Sequence, residues 1–289
     1  MNITFEMITF NGNYILDAVL ETIYPYAHRI VIVEGPVGYY VAQGHRHSTD
    51  GTIELVQNFP DPHDKIRLVS GQWSEKDEMV NAALPHIPAD TQFIWHVDDD
   101  ECHYPGVIEE TIRVLETGRW DSISFRSLCF YGGFERIWDE DSYEQGFEFH
   151  RVQRWQAGSR WATHRPPTIL AIGDGRPWRE HSHLAFFAGM PHYSYVWPSR
   201  VKSKAEYIEN SLAPGRCIPD YFNQVFVPWI RGNDAERQAI EDRFNGTHEI
   251  PPDVRGPCRT GSFNRPHPPA IEKRLPQLRQ RLETELGRY

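Results

Sequence analysis

Phe93-Ile94-Trp95-His96-Val97-Asp98-Asp99-Asp100-Glu101 sets four acidic residues directly behind an apolar run. A short run of β-branched and aromatic residues marks a strand buried on both faces of a parallel sheet, and open α/β sheets bind ligands just outside the carboxyl ends of their strands. Asp98 to Glu101 occupy such an end. Side chains alternate along extended backbone, so Asp98 and Asp100 are expected to point the same way and share one hard divalent cation, Mg²⁺ or Mn²⁺, while Asp99 points elsewhere. The competing reading is a solvated acidic turn whose Asp99 or Asp100 caps a helix beginning at Pro105.

Upstream, Ile3 to Thr9 reads as a first strand ended by Asn11-Gly12-Asn13, and Ile15, Leu16, Val19, Leu20 and Ile23 recur at helical spacing. Arg29 to Gly35 is a second strand of the fully buried kind, so the opening is a βαβ unit with Asn11 and Glu34 at the same sheet edge. A loop over residues 35–47 leads to Ser48-Thr49-Asp50-Gly51-Thr52, where Ser48 or Asp50 can cap a short helix. Lys65 to Val69 is a third strand, and Ser74 and Asp77 have capping-box spacing for the next helix. Val107, Ile108, Ile112 and Leu115 form a further helical stripe stopped by Gly118, and Asp121 to Arg126 reads as a fifth strand.

At 289 residues with a net charge of −10, the chain can bury a large core and is a poor partner for nucleic acid phosphates. Met1 is followed by no basic region, and Thr4, Glu6 and Thr9 break the apolar residues after it, so no signal peptide is expected. No apolar run approaches the roughly 20 residues of a membrane span. A cytoplasmic location and four reduced cysteines (Cys102, Cys129, Cys217, Cys258) are the expectation.

The order of these elements and the residues at their ends resemble glycosyltransferase family 2. The resemblance rests on the asparagine turn after the first strand, the acidic end of the second, Ser48-Thr49-Asp50-Gly51-Thr52, the Lys76 helix and the Asp98-x-Asp100 pair. It implies a Rossmann-like α/β/α sandwich with a mostly parallel central sheet, the A-type nucleotide-sugar fold, followed by an irregular and helical C-terminal region. It further implies transfer of a sugar from a UDP-sugar to a carbohydrate or glycoconjugate acceptor, with inversion, assisted by Mn²⁺ or Mg²⁺. Asn11, Glu34, Asp50, Lys76, Asp98, Asp99 and Lys204 are expected at the donor, and Asp98, Asp100 and His192 at the metal. Three departures stand out: Glu34 where aspartate is usual, Gly12-Asn13 where a glutamate usually follows the asparagine, and a long insertion before Ser48.

Residues 1–130 are expected to bind the nucleotide sugar, 131–215 to bind the acceptor and complete the metal site, and 216–289 to form a helical, proline-rich extension. Residues 148–155 and 160–167 alternate basic and aromatic side chains, which suits a sugar or phosphorylated acceptor. The glutamate that similar enzymes place after a histidine is Arg165 here, so His164 is the candidate base beside Asp100, with Asp174 or Glu180 as substitutes. His181-Ser182-His183 has no carboxylate or cysteine at ligand spacing nearby and is not expected to bind metal. Pro251-Pro252, Pro257 and Pro266 to Pro269 mark an irregular strap. Leu275, Leu278, Leu282 and Leu286 stripe a final helix, whose packing on the body is favoured over a partner or membrane surface. Two alternatives share the sheet: a sugar-phosphate nucleotidyltransferase, which wants a Gly-rich basic loop that Asn11-Gly12-Asn13 does not provide, and a non-catalytic nucleotide- or carbohydrate-binding module.

Overall fold

Strand β1 (Ile3–Thr9) is buried along its whole length, because Ile3, Phe5, Met7 and Ile8 have no water-facing side to offer, and this draws Glu6 into the interior. The computed structural model describes residues 1–139, 148–212, 214–250 and 258–289. Helix α1 (Leu16–Ile23) buries its predicted stripe and returns the chain to β2 (Arg29–Glu34), parallel to β1. The loop before Ser48 contains a short helix, α2 (Gly38–Ala42). After α3 (Thr52–Asn58) come β3 (Ile66–Ser70), parallel to β2, and α4 (Lys76–Asn81). The expected Ser74–Asp77 box does not form: Glu75 is the N-cap of α4 without a side-chain cap, and the Ser74 N–H and hydroxyl both donate to Glu78, each at 2.6 Å. β4 (Phe93–His96) then inserts parallel to β1, and α5 (Pro105–Glu116) begins on its proline and ends before Gly118, whose φ of 69° suits glycine.

β5 (Ser122–Tyr131) runs five residues beyond its expected end, and β6 (Arg136–Trp138) follows it. The region expected to be irregular contains β7 (Glu148–Arg154), the hairpin of β8 (Trp161–His164) and β9 (Pro167–Ile169), β10 (His183–Leu184) and β11 (Gly189–Tyr195). β7 is antiparallel to both β4 and β5. Its basic residues hid this strand from a reading based on apolar runs.

Two compact units result, Met1–Arg126 with Glu148–Met190, and Ser127–Phe147 with Pro191–Tyr289. They cut the chain differently from the expected division at 130 and 215, because β7 to β10 return to the first unit. That unit holds the parallel strands in the order β3-β2-β1-β4, then β7 and the start of β5, with β10 parallel to β5. It is a mixed α/β sheet, mostly parallel, of Rossmann-like type. Trp95 is fully buried at its centre, stacked on Phe5 and Phe125 at centroid distances of 5.3 and 5.4 Å.

The second unit packs aromatic rings around the later part of β5: Phe130 stacks on Tyr193 at 4.5 Å, and Tyr131 meets Trp229 edge-on at 4.7 Å. Its described helices include α6 (Pro198–Tyr207), which continues in wider π-helical winding, α7 (Val227–Arg231), α8 (Asp234–Phe244) and a closing helix Leu275–Leu286. Leu275, Leu278 and Leu282 of the closing helix are buried, so its stripe packs on the body. Pro251, Pro252 and Pro257 lie outside the described residues. Among the described residues no helix is long and apolar enough to cross a membrane, and the four cysteines are unpaired with one another.

Trp95→Ala should cost about 3–5 kcal/mol of unfolding free energy, the usual range for an emptied aromatic core position, read from the urea midpoint at unchanged slope.

Candidate active site

Because β1, β2 and β4 are parallel, their carboxyl ends lie along one edge of the sheet. Glu6 and His96 are register partners on β1 and β4, so their side chains emerge side by side, and His96 Nδ1–H donates to Glu6 Oε2 at 2.6 Å. Two residues on, and so on the same side, Asp98 places Oδ1 at 3.4 Å from His96 Nε2. Burial would push the His96 imidazole down, but the Glu6 charge and the contact with Asp98 outweigh it and raise the group to about 9. His96 is an imidazolium at neutral pH.

Arg151 supplies the second positive charge. Trp95 pairs with Val152, so Arg151 comes out of β7 next to His96 and donates from Nη2 to Asp98 Oδ2 at 2.7 Å. Its Nε donates to Glu101 Oε2 at 2.9 Å, and Nη2 also reaches Glu101 Oε1. Arg151 and Glu101 are buried. Burial opposes ionisation of Asp98, yet Arg151 and His96 hold its carboxyl well below the usual range. The result is a continuous chain of alternating charge, Glu6–His96–Asp98–Arg151–Glu101.

The β8–β9 hairpin brings a second imidazole to this chain. Asn81 on α4 brackets Trp161 through bonds of 3.1 Å to its N–H and from its own amide to the Trp161 carbonyl, and the His164 N–H donates to Asp77 Oδ1 at 2.7 Å. The His164 ring then sits 5.2 Å from that of His96. Burial, the nearby Lys76 ammonium and His96 all oppose its protonation and hold His164 well below its ordinary range, so it is neutral. Donor atoms of His96, Asp98 and His164 lie within 4.8 Å of one another. His96 Nε2 and both His164 nitrogens are buried with no hydrogen bond among the described residues. Two imidazoles and a carboxylate suit Mn²⁺ or a softer ion better than Mg²⁺, and a cation there would displace the His96 proton. The donor set therefore fits a divalent metal.

The turns after β1 and β2 form the neighbouring part of the edge. Glu34 is fully buried and accepts from the Ser48 N–H at 2.6 Å, Ser48 Oγ accepts from the Asn11 N–H at 2.8 Å, and Asn11 Oδ1 accepts from the Thr49 N–H at 2.8 Å. Just ahead of α3, Asp50 accepts from the Asn13 N–H at 2.9 Å and from the Thr52 N–H and hydroxyl at 3.1 and 2.5 Å. Asp99 is buried beneath, accepting from Thr9 Oγ1 at 2.5 Å, and a Cβ at Gly12 would collide with both. That collision explains glycine where the resemblance led us to expect glutamate.

Residues 46–170 match the family described as Glycosyl transferase family 2. Over those residues the chain is similar to glycosyltransferase family 2. No curated protein matches it by sequence. Among solved structures, it is similar to S. aureus TarS 1-349 in complex with UDP, with 15% identity over 50% of this chain and 40% of that one, at a TM-score of 0.35. For S. aureus TarS the figures are 14% identity, 86% and 43% coverage and a TM-score of 0.41. For glucosyl-3-phosphoglycerate synthase from Mycobacterium tuberculosis with Mn²⁺, UDP and glucosyl-3-phosphoglycerate they are 15%, 45%, 45% and 0.29. The chain thus spans less than half the length of each of these three.

Asp98 is grouped with His96 and His164, and the cluster includes neither Asp100 nor His192. Asp100 is buried and adds to the field that stabilises the Arg151 charge. His192 and Lys204 belong to the second unit, where His192 Nδ1 lies 3.3 Å from Ser127 Oγ and Lys204 donates to Ser194 Oγ at 2.6 Å. Asp174 and Glu180 make ion pairs at 3.5 Å with His181 and Arg176 on an exposed turn. Sequence reasoning missed Glu6, His96 and Arg151 as site residues. A signal existed: the one charged residue inside a strand otherwise free of charge needs a cationic partner if the strand is buried, and His96 shares the two-residue alternation of Asp98.

Arg151→Met should cost about 3–5 kcal/mol in urea unfolding, because Glu101 would be left fully buried without its counter-charge and Asp98 would lose one of its two. Arg151→Lys should recover only part of it, since an ammonium cannot form the two-oxygen fork.

Proposed function

We propose that this chain is a divalent-cation-dependent, inverting glycosyltransferase that moves a sugar from a UDP-linked donor to a carbohydrate or glycoconjugate acceptor in the cytoplasm. The observation that carries the reading is Glu34: one oxygen latches Ser48, while Oε2 is buried at the sheet edge with no donor among the described residues. A buried carboxylate oxygen left so costs on the order of 1–3 kcal/mol or more, and a ribose hydroxyl or base imide N–H would satisfy it. Phe10, Tyr40 and His45, with ring centroids 4.9 and 5.5 Å apart across Phe10, give the same edge an aromatic face for a base.

Asp98, His96 and His164 would hold the cation, which when bound supplies charge neutralisation for the departing diphosphate. Arg151 keeps Asp98 ionised and fixed in direction. Lys76, beside His164, adds positive charge where a phosphate would lie. His164, expected from the sequence as the base, is held so far below neutrality that it is a weak proton acceptor, which favours the ligand role. In this reading residues 1–130 bind the donor.

A non-catalytic binding module is the second reading, favoured by the Arg151 guanidinium already lodged between Asp98 and Glu101. UDP release from a panel of UDP-sugars, with Mn²⁺ or with chelator, separates the two. Turnover with Mn²⁺ that falls at least 100-fold in Asp98→Asn, at a melting temperature near wild type, supports the transferase; UDP binding without turnover supports the module. Glu34→Gln should weaken UDP about tenfold in calorimetry, the magnitude of one charge-assisted hydrogen bond. Equal affinity in Glu34→Gln and wild type would remove the nucleotide role of this edge.

A further inference from the structure

We propose that Glu148, His150 and His183 form a second metal site, of the Zn²⁺ class, on the face of β7 opposite Arg151. Their donor atoms lie within 4.8 Å of one another. A tetrahedral ion at about 2.1 Å from each ligand needs donor separations of about 3.4 Å, which small side-chain rotations supply. The sheet explains how residues on two different strands converge. Glu148 and His150 stand two residues apart on one face of β7, and His183 pairs with Ser122 on the far side of β5. Between them β5 presents Ser122 and Ser124 on that face, followed by Arg126 as the register partner of Glu148, and the two small serines let the longer side chains meet above the middle strand.

The surroundings are those of a metal ligand set. Ser122 Oγ engages His183 Nδ1 at 2.7 Å, which turns His183 Nε2 toward Glu148 Oε1 at 2.9 Å. Ser124 Oγ donates to the same Glu148 oxygen at 2.5 Å, so carboxylate and imidazole are both oriented from behind. His150 Nδ1 is buried with no hydrogen bond among the described residues. Arg179 opposes a cation here; its Nη1 donates to Thr168 Oγ1 at 3.3 Å. Side-chain exposures of 27% for Glu148 and 16% for His183 leave room for a solvent molecule as fourth ligand. The sequence hid this set because Glu148 and His183 lie 35 residues apart.

The test is a Zn²⁺ titration of chelator-stripped full-length protein by calorimetry, with anomalous diffraction at the zinc edge to place the ion. Wild type and Asp98→Asn should both bind Zn²⁺ here, while His150→Ala and His183→Ala weaken this binding more than tenfold and keep any binding that depends on Asp98. Ser122→Ala, which leaves all three ligands and a small side chain in place, should weaken it about tenfold and decides the matter if the ligand variants fail to fold. Titrations of the His150, His183 and Ser122 variants that superimpose on wild type, or an anomalous peak found only at Asp98, would overturn the proposal.

Discussion

Two carboxylates, Glu6 and Glu101, are taken wholly out of water and a third, Asp98, partly so, on β1 and just after β4, and everything around them exists under the constraint that this charge be matched. An ionised group inside a protein is tolerable only when it is paired and hydrogen-bonded. His96 and Arg151 provide the matching charges, one from the same strand as Asp98 and one from β7, 50 residues beyond Glu101 in the chain. The antiparallel insertion of β7 beside β4 is thus an electrostatic necessity of the site as well as a packing solution. It also separates this sheet from a purely parallel one.

The neighbouring turns obey a different rule. Asn11, Ser48, Thr49, Asp50 and Thr52 bond almost wholly to one another's backbone and side chains, so their conformation is set before any ligand arrives. Preorganised acceptors of this kind lose little entropy on binding. Glu34 shows the division of labour within one side chain, with one oxygen given to the loop and the other kept back. Gly12 is the counterpart in backbone terms, a position where any side chain would displace Asp99 and Thr9.

β7 separates two histidine-containing clusters of opposite character. On the Arg151 face, imidazolium and guanidinium alternate with carboxylates, so charge is already near balance. On the His150 face the imidazole is neutral and faces a single carboxylate. One strand, read at alternate residues, presents two chemistries because its two faces are solvated and charged differently.

The sequence by itself determined the βαβ opening, the strand at Phe93 to His96, the helix from Pro105 to the Gly118 stop and the presence of an acidic site at the end of β4, because each is written in local periodicity and in local turn chemistry. It also determined that Asn11 and Glu34 meet at one edge, since parallel strands bring their ends together. Only the tertiary structure decided that Arg151 would stand against Asp98, that His164 would come to His96, and that Glu148, His150 and His183 would meet. Those contacts join residues tens of positions apart through antiparallel and hairpin pairings whose registers no local pattern encodes. The strands that make them are polar enough to have looked like loop. Charge pairing, which has no period, is what holds them in place.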